Sequence, residues 1–157
     1  MNISQPRVAA VTGALFLATA SFAAVPALAA GGGFVTVKST HGYGATVSAL
    51  KHSIKGNGLM VMGKVNQKAI LSMTGLHLEG GESFLVGNPR VGKKLFGMNP
   101  AVAAVIPARI SVWAEHGQTY VGYFKPSSLM GDVSGKLVKP GKMLDIKFRK
   151  IVKQATR

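Results

Sequence analysis

The sequence contains no cysteine. Disulfides, thiolate catalysis and cysteine-bound metal centres are thereby excluded, as is lipid attachment through a cysteine. Acidic residues are also scarce. Glu79, Glu82, Glu115, Asp132 and Asp145 are the full set, against 19 Lys and Arg. They offer no separated carboxylate pair suited to acid–base chemistry, and Glu79 and Glu82 fall in a glycine-rich turn where plain solvation is expected. The nucleophile elbow G-x-S-x-G and the zinc motif H-E-x-x-H are missing. His41, His52, His77 and His116 have no evident partner. No catalytic residue and no cofactor follows from these residues. Beyond residue 29 no apolar run approaches the roughly 20 residues needed to span a bilayer.

What is present begins at the N-terminus. MNISQPR carries one basic residue and no acid, and VAAVTGALFLATASFAAVPALA follows, ending in Ala27-Leu28-Ala29. A basic start, an apolar centre and a small-x-small site describe a secretory signal peptide. A retained membrane anchor is the competing reading, because the stretch is just long enough to span. Pro26 and the Ala27/Ala29 pair favour cleavage, which leaves a chain beginning at Ala30 in the periplasm or outside the cell. The expected organisation is a signal peptide over 1–29, a flexible leader over 30–33, an α+β domain over 34–135 and a basic helical segment over 136–157.

The net charge of +14 is the strongest compositional feature. Residues 136–157 hold eight basic side chains and only Asp145 in opposition. Such an imbalance favours anionic partners. Export argues against nucleic acid and leaves an anionic small molecule, an envelope polymer, an acidic protein or peripheral contact with lipid head groups. The alternative is a merely solvated surface. Oligomeric state is open.

FVTVKST, residues 34–40, alternates and is β-branched, so it reads as a strand. A helix is expected from an N-cap at Thr46, with Val47, Leu50 and Ile54 on one face, stopping at Gly56-Asn57-Gly58. LMVMGKV, 59–65, reads as a strand whose Met60 and Met62 are core filler. Asn66 is placed to cap a short helix over 67–74. A short strand over Ser83–Val86 and a helix over 92–99 follow. ARISVWAE and QTYVGYF form a hairpin about His116-Gly117, with Trp113, Tyr120, Tyr123 and Phe124 in cross-strand pairs beneath a helix. Leu144, Phe148, Ile151, Val152 and Ala155 mark an amphipathic helix around 142–155. This order predicts an α+β domain with a mainly antiparallel sheet and helices on one side.

Residues 86–94, VGNPRVGKK, approach the phosphate-binding pattern G-x-x-x-x-G-K-[ST]. Lys94 stands where Ser or Thr would hold magnesium, however, and Pro89 removes a backbone donor. A structural turn is the better reading, with Gly87 and Gly92 as its bends and Asn88 bonded within it. Arg90 and Lys93 beside a helix N-terminus remain candidates for holding a small anion together with Asn88. Lys147, Arg149, Lys150 and Lys153 are candidates for contact with an anionic surface. Met60, Met62, Met73 and His77 could suit copper, but core packing and surface exposure account for them more simply, and no metal site is assigned.

The stretch from Phe84 to Leu129 resembles the bacterial family called domain of unknown function 302. The resemblance rests on a strand entering Gly87-Asn88-Pro89, Gly92 and an apolar helix, Pro107 before the hairpin, and a Tyr123-x-x-Pro126 close. It extends more weakly back to residue 34. It implies a compact α+β fold with an antiparallel sheet and helices on one side, and no particular activity. One branch of that family has Cys where this chain has Gly87, so thiol chemistry does not transfer. An acid is common before the closing proline, where this chain has Lys125. An exported, non-enzymatic binding or accessory domain is the expected function; a small periplasmic enzyme acting on an anionic substrate near residues 88–93 is the alternative.

Overall fold

The computed structural model describes residues 33–157. The expected signal peptide and nearly all of the leader lie outside the described residues. In chain order the elements are β1 Phe34–Lys38, α1 Tyr43–Gly56, β2 Met60–Val65, α2 Gln67–Ser72, β3 Gly80–Gly87 and α3 Pro89–Met98. A 3-10 turn over Pro100–Ala104 leads to β4 Ala108–Glu115, β5 Gln118–Phe124, α4 Pro126–Val133, a second 3-10 turn Gly135–Leu137, and α5 Val138–Ala155. The five strands form one antiparallel sheet in the order β1-β5-β4-β3-β2. The α+β class and the antiparallel sheet are those expected from the sequence.

Alternation along the strands decides which face is buried. Phe84 and Val86 of β3, Ile110 and Val112 of β4, and Val121 and Tyr123 of β5 point into one core. Leu50 and Ile54 of α1 and Phe148, Ile151, Val152 and Ala155 of α5 cover them from the other side. Burying each large side chain contributes on the order of 1.5–3 kcal/mol. The C-terminal helix is therefore part of the core. A second cluster, Leu95, Val102, Met130 and Leu137, joins α3 and α4 through the two 3-10 turns. The short α2 lies against the opposite sheet face, where Gln67 donates to Ser83 Oγ at 2.6 Å and Ser83 bonds Ser111 at 2.8 Å.

Several local expectations need correcting. The first helix starts at Tyr43 with Gly42 as its N-cap. Thr46 lies inside the helix, fully buried, and bonds Ser39 Oγ at 2.7 Å. Strand β3 begins at Gly80, three residues before the expected start. Met60 and Met62 are not core: they are 55% and 53% exposed on β2, an edge strand interrupted by a bulge. Helix α4 was not expected, and α5 starts at Val138, ahead of the expected 142. Glu79 and Glu82 are not merely solvated. Glu79 accepts from Gly117 N at 2.8 Å, securing the hairpin turn, and Glu82 lies 3.7 Å from Lys64. His116 and Gly117 both adopt positive φ, 51° and 71°, as the tight turn requires.

Two aromatic pairs form across strands, and Tyr123 pairs instead with a helix. Trp113 and Tyr120 stack at 5.5 Å, and Phe124 meets Phe34 at 5.0 Å on the face away from α5. Tyr123 packs edge-on against Phe148 of α5 at 5.5 Å.

Candidate functional site

The Gly-Asn-Pro loop is a strand-to-helix junction. Asn88, extended at φ −141°, is the N-cap of α3, and Pro89 takes the first helical position, where its missing N–H costs nothing. Asn88 Oδ1 accepts from Arg90 N at 2.9 Å and Val91 N at 3.4 Å, and the Asn88 carbonyl accepts from Gly92 N at 2.8 Å. The helix thus starts three residues earlier than expected, and its first-turn donors are engaged within the loop. Arg90 and Lys93 are exposed on α3, so what they offer an anion is side-chain charge. Asn88 is spoken for at both ends, since its Nδ2 donates to Gly58 O at 2.9 Å.

Beneath this loop lies a cavity of about 180 Å³ bounded by β3, α3 and α5. Leu59, Val86, Leu95, Ile106, Leu144 and Phe148 form much of its wall, and among the described residues Asn88 is the only polar side chain in the lining. Among the described residues no acid, base or hydroxyl side chain lines it. Gly87 shapes one side: a Cβ there would lie 2.7 Å from Met62 Sδ, so the glycine lets the thioether close over the loop. Arg90 and Lys93 do not line the cavity. Val91, Gly92 and Leu95 do, and these occupy the opposite arc of α3.

The basic residues of α5 form a separate surface. Phe148, Ile151, Val152 and Ala155 point inward, which leaves Lys147, Arg149, Lys150 and Lys153 exposed. Lys147 Nζ donates to Asn57 O at 3.1 Å, against the C-terminal end of α1, where a cation is favoured. Arg149, Lys150 and Lys153 make no ion pair among the described residues. Arg149 stands beside Tyr123, whose phenol is pushed above its ordinary range by burial, with Arg149 opposing that shift and Asp145 adding to it. Met143 and Ile146, each 65% exposed, lie among these cations. The periodicity of the inward seam alone does not show that these two apolar side chains face solvent.

A five-stranded antiparallel sheet roofed by α1 and α5, with a Gly-Asn-Pro junction between β3 and α3, defines a small α+β class of domain. The family model described as "Domain of unknown function DUF302" matches residues 35–154. The chain belongs to that family. It is similar to the crystal structure of the uncharacterized conserved protein DUF302 from Bacillus stearothermophilus, at 23% identity and a TM-score of 0.73. That likeness covers 79% of this chain and 98% of the other, and it concerns the fold alone. No curated protein matches the sequence. The match reaches residue 154, so it takes in nearly all of α5.

Proposed function

We propose that this chain is an exported, non-enzymatic binding module that docks on an anionic lipid surface through the outer face of α5. One observation carries the reading: exposed Met143 and Ile146 sit among Lys147, Arg149, Lys150 and Lys153. Cations alone would suit any polyanion. Two exposed apolar side chains between them suit an interface that offers both head-group charge and hydrocarbon. Acidic envelope polymers supply the charge and leave Met143 and Ile146 in water. Export rests on the signal peptide read from residues 1–29, and N-terminal sequencing of the exported form is expected to begin at Ala30.

Docking is tested by co-sedimentation with vesicles of phosphatidylglycerol and phosphatidylcholine. Replacing Lys147, Arg149, Lys150 and Lys153 by Gln removes four charges, each worth about 1 kcal/mol near an anionic membrane. Binding is expected to collapse in that variant and to weaken with added salt. Met143→Ser with Ile146→Ser is expected to weaken vesicle binding while sparing a soluble polyanion. Equal binding of wild type and the four-Gln variant at low salt would sink the reading.

A further inference from the structure

The cavity under the Gly-Asn-Pro loop shares Lys147 with that surface and nothing else. Its wall is apolar apart from Asn88, whose two side-chain ends are already bonded to the protein. An apolar cavity gains by being filled, and an enclosed one of about 150 Å³ accepts benzene; this one opens in part to solvent, which gives a ligand its way in. At about 180 Å³ this cavity has room for an apolar group of comparable size. No cation lines it, but Lys147 reaches the turn that leads into its wall. Lys147 and Asn88 converge on one turn, Lys147 Nζ on the Asn57 carbonyl at 3.1 Å and Asn88 Nδ2 on the Gly58 carbonyl at 2.9 Å. Leu59, the next residue, lines the cavity, as do Leu144 and Phe148 on either side of Lys147 in α5. An ammonium has three donors, so the bond to Asn57 leaves two for a ligand. Met62, 53% exposed and flexible, borders the same space and can yield to an entering chain.

We infer that this cavity binds a small anionic amphiphile, with an apolar group of about six carbons inside and the anionic head at Lys147. Arg90 and Lys93 take no part in it.

Gly92 supplies the test. It lies on the cavity face of α3, between Val91 and Leu95, and a Cβ built on it meets nothing within 4 Å. A Cβ there has room and leucine raises helix propensity over glycine, so Gly92→Leu is chosen to occupy the cavity from the helix side. Calorimetry with the protein as processed by its host uses hexanoate as the anionic probe and hexanol as the neutral one. Wild type is expected to bind both saturably, and Gly92→Leu neither. Lys147→Gln is expected to bind hexanol as wild type does and hexanoate roughly tenfold more weakly, through loss of a charge-assisted hydrogen bond. Should Gly92→Leu fail to fold, Val91→Phe repeats the experiment from the same face. Absence of saturable binding by wild type, or wild-type affinity in a folded cavity-filled variant, overturns the inference. Unchanged hexanoate affinity in Lys147→Gln overturns the placement of the head. Gly92→Leu should bind vesicles as wild type does, so failure of this inference and failure of surface docking are told apart.

Discussion

The side-chain amide of Asn88 donates to the carbonyl of Gly58 at 2.9 Å, tying the first turn of α3 to the turn that ends α1. The other end of the same amide caps α3 through Arg90 N and Val91 N. One short side chain therefore satisfies a helix terminus and braces a second element. Asn88→Ala is expected to cost about 2 kcal/mol, a lost cap plus a lost tertiary hydrogen bond. Asn88→Asp keeps the cap and loses only the donor, so it should cost about half as much. Urea midpoints of the two variants separate the contributions.

Helix α4 has no cap from its own N-cap residue, Lys125. Asp145 of α5 serves instead: its Oδ1 accepts from Ser127 N at 3.0 Å and its Oδ2 from Ser127 Oγ. A carboxylate at that position also meets the positive end of α4. Asp145→Ala is expected to lower stability by about 2 kcal/mol, and Asp145→Asn by less. Equal urea midpoints for wild type and Asp145→Ala would show that α4 is held by packing alone.

Two helical glycines should respond to alanine with opposite signs. A Cβ at Gly141 would stand 2.5 Å from Ser127 Cα and 2.9 Å from Ser127 N, both backbone atoms that cannot step aside. Gly141→Ala is expected to cost about 1–3 kcal/mol by forcing α4 and α5 apart. Gly92 in α3 has open space, so Gly92→Ala should gain up to about 1 kcal/mol. Thermal melts of the pair check the contrast.

Alkaline pH should destabilise the fold. Burial pushes the Tyr43 phenol above its ordinary value of 10.0, the nearby Glu82 charge adds to this, and the Gly81 N–H opposes it. Tyr123 is pushed the same way by burial and Asp145, with Arg149 opposing. Above pH 10 the unfolded chain loses its phenolic protons before the folded one does. It then binds fewer protons, and stability falls as pH rises through the folded values. Tyr123→Phe should flatten this fall. Urea midpoints between pH 9 and about 11.5 provide the measurement.

Much of this architecture was legible because alternation and periodicity are local signals. β1, the hairpin about His116-Gly117 and the inward seam of α5 follow directly from them. Asn66 caps α2 through Ala69 N at 3.0 Å, as its position suggested. The misread parts depend on distant residues. Gly42 carries no side chain to announce a helix start, and Thr46 turns inward to a buried Ser39. Met60 and Met62 alternate as a core strand would, and only the sheet order reveals that β2 lies at an edge. Helix α4 depends on a carboxylate 18 residues further along the chain. The cavity is assembled from β3, α3 and α5, and no single segment advertises it.

The sheet order also governs when the molecule can close during synthesis. Among the described residues the first strand pairs only with the fifth, from Phe34 against Phe124 to Lys38 against Tyr120. Thr40 N reaches the Thr156 carbonyl at 3.0 Å, and α1 packs against α5. The opening residues thus wait for the closing ones, a connection of high sequence separation that forms slowly. Closure of β1 and α1 over the sheet is therefore complete only once residues through Thr156 are in place.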